Sequence, residues 1–241
     1  YYYFHYNPSI PLAVVAAVLF GLFGLYLAAR VHKFQSPRFL YTLPITALCE
    51  CVGYALRIKS HAETTTTIFV IMTLLLLLPP GILAHLNYRS IVKVIQKSHA
   101  EPKHFFLKPD FVMWFFSVSN KISIMVQCAG GGIKSSGKIN LSDAGSIITL
   151  IGFAFQMFFF AVFLCIAFFI YRSDDYDYYV KGQSNPKRNL LYCLCITISL
   201  LIIRYIFRIV EYATTYNHSE WAFYTFDSLM VLLCFVCYSI L

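Results

Sequence analysis

Residues 189–212 read NLLYCLCITISLLIIRYIFRIVEY, an apolar segment long enough to cross a lipid bilayer as a single helix. Its three charged residues, Arg204, Arg208 and Glu211, follow one another at spacings that place them on one face of a helix. A charge at the centre of a membrane helix costs roughly 2.5 to 3.5 kcal/mol if hydrocarbon surrounds it. The segment therefore predicts a membrane helix whose charged face lies against other protein or trapped water.

The rest of the chain has the composition of a membrane protein with several spans. Of its 241 residues, 59% are hydrophobic and only 12% are charged, and the mean hydropathy is +0.67. With about 20 residues per span as the template, seven segments qualify. They are residues 11–31, 39–58, 66–91, 111–132, 144–171, 189–212 and 221–241. We predict an all-α, polytopic membrane protein with seven transmembrane helices, forming one domain over residues 1–241.

The basic residues predict the orientation of these spans. Cytoplasmic connections of membrane proteins carry an excess of Lys and Arg. With the N-terminus outside, the cytoplasmic connections hold Lys33, Arg38, Lys93, Lys97, Lys103, Lys108, Arg172, Lys181, Lys187 and Arg188, and the outer connections hold only Lys59, Lys134 and Lys138. The two sequons, at Asn140 and Asn217, also fall in outer connections. We therefore expect the N-terminus outside and the C-terminus in the cytoplasm.

Several functional classes are disfavoured. The net charge of +8 comes mostly from residues between apolar runs, which argues against a nucleic-acid partner. The eight cysteines lie within or beside apolar runs, so a secreted disulfide framework is not expected. The first apolar run lacks a basic n-region and a cleavage site, and we expect it to be its own insertion signal. Hydrolase, metalloprotease and nucleotide motifs are missing, so we expect no catalytic residue, metal or cofactor.

Polar side chains on five of the spans share one half of the membrane, the half on the predicted outer side. They comprise Glu50, Tyr54 and Arg57 on the second span, Gln127 on the fourth, Gln156 on the fifth, Arg204, Arg208 and Glu211 on the sixth, and Asp227 on the seventh. With Glu220 and Lys121 added, this half holds four acids and four bases and is formally neutral. Two interpretations stay open: buried ion pairs that lock the bundle, or a hydrated outer cleft for the polar head of an amphipathic ligand.

Two further features concern backbone geometry and one histidine. Pro79 and Pro80, followed by Gly81, predict a kink or hinge at the centre of the third span. The run Gly130-Gly131-Gly132, at the outer end of the fourth span, predicts close helix approach or a chain reversal. His85 lies at membrane depth, where a hydrogen-bonded or interfacial histidine is expected in preference to a ligand of metal or tetrapyrrole iron.

In their order and spacing, several short motifs resemble the RTA-like family of fungal seven-helix membrane proteins. The motifs are Tyr6-Asn7-Pro8-Ser9, Glu50-x-x-Gly53-Tyr54-x-x-Arg57, Pro80 with Tyr88, Gln127-x-x-Gly130-Gly131-Gly132, and Arg204-x-x-x-Arg208-x-x-Glu211 followed by Glu220 and Asp227. The resemblance covers almost the full chain. Members of that family are described as lipid-translocating exporters, linked to aminosterol and drug resistance, to release of sphingoid long-chain bases at the plasma membrane, and in some members to porphyrin handling.

The resemblance implies a substrate class. It implies a multi-pass plasma-membrane transporter or translocase for an amphipathic lipid, such as a sphingoid base or a sterol-like molecule. An ammonium head would then replace one member of an ion pair at Glu50, Glu211 or Asp227, while the tail lies between apolar helices or in lipid. The alternative is a seven-helix receptor or sensor of a lipid or small molecule without net transport.

Overall fold

The computed structural model describes residues 10–34, 37–62, 65–98, 108–135, 139–173, 176, 185–214 and 220–240. These residues form helices and turns without any strand, and seven of the helices are long and apolar enough to cross a membrane. The helices are α1 (Ile10–Lys33), α2 (Thr42–Ala62), α3 (Thr66–Lys97), α4 (Pro109–Lys134), α5 (Ile139–Arg172), α6 (Pro186–Ala213) and α7 (Glu220–Ile240). The predicted all-α, seven-helix class is confirmed.

Helix α3 lies at the centre of the bundle. Each helix packs against its neighbours in the sequence, and α3 also contacts α6 and α7. Its buried residues include Leu76, Leu83 and Ala84, each at most 3% exposed. Below, the N-terminal side is the side of the membrane where α1 begins, and the opposite side is where α1 ends. Because α3 touches two other helices that carry charged residues, its backbone is in reach of their side chains.

Glycines allow α4 and α5 to approach closely. A Cβ atom at Gly130 would lie 2.7 Å from the carbonyl oxygen of Gly145, which is too short for a real contact. Gly132 has open space at the same position. The close approach predicted for the glycine run is therefore confirmed at Gly130. The run does not end the helix, since α4 continues to Lys134.

The two prolines lie inside α3, and the helix continues on both sides of them. Pro80 has no N–H group, so it cannot donate to the carbonyl oxygen of Leu76, four residues earlier. The guanidinium of Arg204 on α6 donates to that oxygen instead, with Nη2 at 2.9 Å. A buried arginine thus satisfies the acceptor that the proline leaves unpaired. The kink predicted here stays a prediction.

Candidate functional site

A buried ion-pair cluster joins α6 to α7. Arg208 donates from Nε and Nη2 to the two carboxylate oxygens of Asp227, both at 2.8 Å, which is the bidentate geometry that favours arginine. Nε of Arg204 lies 2.9 Å from Oδ1 of Asp227. Nη1 of Arg208 also donates to Glu211 at 2.8 Å. Asp227 therefore holds two arginines, and Arg208 holds two carboxylates.

The cluster is withdrawn from solvent and lipid. Arg204 is 0% exposed, Asp227 2% and Arg208 7%. The Glu211 side chain is more open, at 25%. Removing these charges from water carries a large desolvation penalty, which close pairing in a medium of low dielectric constant offsets. The opening at Glu211 gives the cluster one edge that is not sealed by protein.

The local structure of α7 determines where Asp227 lies. Residues Tyr224–Ser228 form a turn of π-helix between two α-helical parts, Glu220–Phe223 and Leu229–Ile240. Such turns are rare and concentrate at functional sites. Asp227 is seven residues into α7 and Arg204 nine residues before the end of α6, so both lie about 10 to 14 Å from the N-terminal side. No proline or glycine marks this turn in the sequence, and sequence reasoning missed it.

Glu50 on α2 lies beside this cluster without joining its hydrogen bonds. Its side chain is buried, at 2% exposed, and the charges of Arg204, Asp227 and Arg208 all act on it. Its Oε2 atom has no hydrogen-bond partner among the described residues, and the same holds for Nη1 of Arg204. Buried polar atoms are nearly always paired, with protein, water or ligand. A carboxylate oxygen of Glu50 and a guanidinium nitrogen of Arg204 are therefore available to a further polar group.

Aromatic rings connect Arg57 and Tyr54 to the same region. The guanidinium carbon of Arg57 lies 4.4 Å from the ring centre of Phe223, and that of Arg208 lies 5.0 Å from the same ring. Cation–π attraction of this kind contributes up to about 2 kcal/mol when the pair is desolvated. Tyr54 stacks between Phe20 and Tyr224, with ring centres 5.6 and 5.9 Å apart. Sequence reasoning took no ligand argument from aromatic residues and missed Phe223, although it stands four residues before Asp227.

The two glutamines of the predicted site make their hydrogen bonds elsewhere. Nε2 of Gln156 donates to Oδ1 of Asn120 at 3.1 Å and to the hydroxyl of Tyr88 at 3.3 Å. Nε2 of Gln127 donates to Ser123 at 2.9 Å. Asn120 in turn donates to the carbonyl oxygen of Gly81 on α3 at 3.0 Å. These side chains form a neutral network among α3, α4 and α5, here called the amide network.

One cation of the predicted outer set lies outside the cluster. Lys121 is exposed on the surface of α4 and has no ion pair among the described residues. The grouping of Lys121 with the buried charges is therefore wrong, because the helix turns this side chain away from the bundle interior. Without Lys121 the set has four acids, Glu50, Glu211, Glu220 and Asp227, and three bases, Arg57, Arg204 and Arg208, so its formal charge is −1.

The described residues contain no group of three or more His, Cys, Asp or Glu side chains arranged to hold a metal ion. The arrangement that the structure does present is electrostatic: buried, paired charges of both signs, beside an unpaired carboxylate oxygen of Glu50 and an unpaired guanidinium nitrogen of Arg204. Such a site is suited to binding a polar or charged group without changing it chemically. The fold and this cluster define a multi-pass integral membrane protein with a buried polar site.

A family model described as "RTA1 like protein" matches residues 43–241. The match covers most of the chain, and the chain belongs to this family. The resemblance seen in the short motifs is thereby confirmed. No solved structure matches the chain.

Three relatives illustrate the range of the family. Protein RTA1 of Saccharomyces cerevisiae is 28% identical over 76% of this chain, which spans 59% of that protein. Protoporphyrin uptake protein 1 of the same yeast is 25% identical over 98% of this chain and 90% of its own length. Lipid-translocating exporter-like protein RTA1 of Leptosphaeria maculans is 22% identical over 87% of this chain and 42% of its own length. The chain thus spans less than two thirds of the first and third of these relatives.

Proposed function

We propose that this chain is a membrane transporter or translocase for an amphipathic lipid, such as a sphingoid base or a sterol-like molecule, and is not an enzyme. The N-terminal side faces the outside of the plasma membrane, and the buried charges bind the polar head of the lipid. The names of the relatives support transport, since they refer to lipid translocation and to protoporphyrin uptake. Both names concern molecules that combine an apolar body with polar groups.

The observation that carries this proposal is the unsatisfied pair of atoms inside an otherwise ion-paired cluster. Oε2 of Glu50 and Nη1 of Arg204 are buried and have no hydrogen-bond partner among the described residues. A buried polar group left unpaired costs about 1 to 3 kcal/mol, and more if charged. An ammonium or hydroxyl head would supply a donor to Glu50, and a hydroxyl would supply an acceptor to Arg204. Both atoms belong to ionisable groups, whose burial without a partner costs more than that of a neutral amide.

Arg204 also connects the proposed binding site to the backbone of α3. The same guanidinium holds Asp227 on α7 and the Leu76 carbonyl oxygen on α3, at 2.9 Å in each case. A head group that draws Arg204 toward itself weakens its bond to Leu76. The segment of α3 that carries two prolines then loses its substitute donor and bends more easily. Binding at the cluster is thereby coupled to movement of the central helix.

Transport is tested with the chain reconstituted in vesicles that contain a fluorescent sphingoid base. Chemical quenching from the outside measures how much of the lipid is in the outer leaflet over time. We expect the protein to speed exchange between leaflets, and Glu50→Gln to slow it by roughly tenfold, the factor for 1.4 kcal/mol. Asp143→Asn is the matched control, since it removes a carboxylate that is exposed on α5.

Three results would contradict the proposal. Binding of the labelled base without any change of leaflet distribution identifies a receptor or sensor. A new product found by mass spectrometry identifies an enzyme. Equal slowing by Glu50→Gln and Asp143→Asn, in folded and monodisperse protein, removes the buried cluster from the transport path.

A further inference from the structure

A row of basic residues climbs the exposed surface of α3 and α4 on the opposite side of the membrane. On α3, Lys93, Arg89 and His85 follow at intervals of four residues, so they lie along one ridge of the helix. On α4, Lys121 lies close enough to His85 for its charge to act there, as does that of Arg89. Lys93, Arg89, His85 and Lys121 are here called the basic ladder.

The basic ladder reaches the middle of the membrane. Lys121 is about 18 Å along α4 from Pro109, in a helix about 39 Å long. Arg89 and His85 lie about 12 and 18 Å from the end of α3 on the same side. A lysine side chain extends about 6 Å, whereas the edge of the hydrocarbon lies about 15 Å from the midplane. Lys121 therefore cannot bring its ammonium group out to the interface by extending alone.

No acid of the described residues neutralises Lys121. Lys121 makes no ion pair and no hydrogen bond with these residues. The exposed acids of these residues, Asp110 and Asp143, lie near opposite ends of the bundle, and a second copy of the described helices would not bring either to this depth. Oγ of Ser117, one turn before Lys121, is buried without a hydrogen-bond partner. A charge in this position implies a counter-charge from outside the described residues.

The surrounding membrane supplies anions to this surface in the head groups of its lipids. Arg89, Lys93 and Lys121 are exposed on the outside of the bundle, where acyl chains and head groups are the neighbours. A phosphate bears the charge and the acceptor oxygens that a lysine and an arginine bind together. We propose that the basic ladder binds the phosphate-bearing head group of an anionic phospholipid, which enters the α3–α4 surface from the opposite side of the membrane.

This second site is independent of the proposed function. The buried cluster of α6 and α7 takes the polar head of a transported lipid from the N-terminal side, whereas the basic ladder faces acyl chains and takes an anion. The basic ladder stabilises a head group deeper in the membrane than the interface where head groups usually lie. Successive residues of the ladder on α3, such as Arg89 and His85, are about 6 Å apart along the helix axis. The surface of α3 and α4 thereby becomes a place where one class of phospholipid collects.

Trp114 is a natural reporter for this site. It is 64% exposed on α4, and it precedes Lys121 by seven residues, so it lies on the same face about 10 Å nearer the opposite side. The chain has two tryptophans, and Trp221→Phe leaves Trp114 alone. Quenching of its fluorescence by phosphatidylserine and by phosphatidylcholine with dibrominated acyl chains gives the relative binding of the two lipids.

We expect dibrominated phosphatidylserine to quench Trp114 at lower mole fraction than phosphatidylcholine, by roughly fivefold for each basic residue in contact. Lys121→Gln should reduce this preference by about that factor, and Arg89→Gln should do the same. Lys59→Gln removes an exposed lysine near the end of α2, on the N-terminal side of the membrane, and should leave the preference for phosphatidylserine unchanged. Equal quenching by both lipids, or a preference that survives Lys121→Gln and Arg89→Gln, overturns the proposal.

Two further arms distinguish the source of the anion. Inorganic phosphate, added against chloride of equal ionic strength, should leave the phosphatidylserine preference unchanged. Displacement by phosphate would identify a water-filled anion site and overturn the assignment to a lipid. A Lys121→Gln protein that dissociates from dimer to monomer at constant lipid preference would assign the surface to a second copy of the chain instead.

Discussion

The buried charges at the N-terminal side and the amide network nearer the centre are equally hidden, but they differ in the charge of the groups that are left with an unpaired atom. Arg204 and Glu50 are at most 2% exposed, and so is Gln156. In the amide network, the nitrogens of Gln156, Asn120 and Gln127 all donate to oxygens of neighbouring helices, whereas the neutral amide oxygen Oε1 of Gln156 has no hydrogen-bond partner among the described residues. In the charged cluster, Oε2 of Glu50 and Nη1 of Arg204 make no hydrogen bond among the described residues, and Nε of Arg204 makes only its ion pair with Asp227.

This difference separates holding helices together from binding. A neutral network in a membrane gains little from each hydrogen bond, on average about 0.6 kcal/mol, but loses little when one is broken. A charged cluster gains from its pairs and loses heavily if one partner is removed. Because neutral amides are sufficient to hold helices together, the buried charges indicate a role other than packing. Each prediction below tests this contrast between the two regions.

The largest effect is expected from removing the shared acid of the charged cluster. Asp227→Asn leaves Arg204 and Arg208 buried beside a neutral amide, and the ion pair that persists among the described residues is that of Arg208 with Glu211. Breaking a buried pair in this way costs about 3 to 5 kcal/mol. The free energy of unfolding, measured by titrating SDS into mixed micelles, should fall by that amount.

Asp143→Asn serves as the control for this measurement, because the side chain of Asp143 is exposed. It should change the free energy of unfolding by less than about 0.5 kcal/mol. If Asp227→Asn is as stable as this control, the ion pairs do not hold α6 to α7, and the contrast between the two regions disappears.

The next largest effect is expected in the region of the amide network, from backbone packing rather than from hydrogen bonds. Gly130→Ala places a methyl group against the backbone of α5, 2.7 Å from the Gly145 oxygen. Overpacking of this kind costs about 1 to 3 kcal/mol. Gly132→Ala is the matched control on the same helix, since a Cβ there meets nothing within 4 Å.

Equal stability of the two alanine variants would show that α4 and α5 separate easily, and that the amide network is what keeps them together. We expect the opposite: Gly130→Ala destabilised and Gly132→Ala within about 0.5 kcal/mol of the wild-type chain.

The junction between the regions is tested by a double-mutant cycle on Pro80 and Arg204. Arg204→Met leaves the Leu76 carbonyl oxygen without a donor in the wild-type background. Pro80→Ala restores an N–H group that donates to this oxygen. The loss of stability on Arg204→Met should therefore be smaller by about 1 kcal/mol in the Pro80→Ala background.

Pro79→Ala is the control for the cycle. The N–H group that Pro79→Ala restores donates to the carbonyl oxygen of Leu75, whereas Arg204 donates to that of Leu76. The cost of Arg204→Met should be the same with Pro79 and with Ala at this position. Coupling of equal size to both prolines would mean that Arg204 senses a general stiffening of α3 and not one carbonyl group.

Sequence reasoning reached the fold because hydropathy and length alone decide how many helices cross a bilayer. It also placed Arg204, Arg208 and Asp227 near one another, since helical spacing and the alternating direction of the spans set their depth. The structure pairs them as that depth suggests.

Other features depend on rotation about the helix axis, which composition does not encode. Asn120 and Lys121 are adjacent in sequence, yet one is buried in the amide network and the other is exposed. The π-turn at Tyr224–Ser228 adds to this uncertainty, because it changes the residues that α7 turns inward. The bond from Arg204 to the Leu76 oxygen required knowledge of how α6 packs on α3, which no local pattern contains.

A smaller effect is expected from the amide network itself. Gln156→Leu removes the donor to Asn120 and to Tyr88 while keeping a side chain of similar size. The free energy of unfolding should fall by about 0.6 kcal/mol, and by no more than about 1.7. A loss of stability as large as that of Asp227→Asn would show that the amide network stabilises the bundle as much as the buried charges do.

The smallest effect on stability is expected at Glu50, where the two interpretations of the cluster differ most. Glu50→Gln keeps the shape of the side chain, and Oε2 has no hydrogen bond to lose among the described residues. The lost attraction to Arg204 and Arg208 is offset by relief of repulsion from Asp227. The free energy of unfolding should therefore change by less than about 0.6 kcal/mol, the average for one hydrogen bond in a membrane protein, while lipid exchange between leaflets slows.

A structural lock predicts the reverse order, with stability lost in proportion to charge and no separate effect on transport. If Glu50→Gln destabilises the chain as strongly as Asp227→Asn, then Glu50 is a member of the lock, and the donor and acceptor left unpaired do not mark a binding site. If the Glu50→Gln protein is stable but does not transport lipid, the bundle does not need the carboxylate for its stability. The carboxylate then binds the transported lipid.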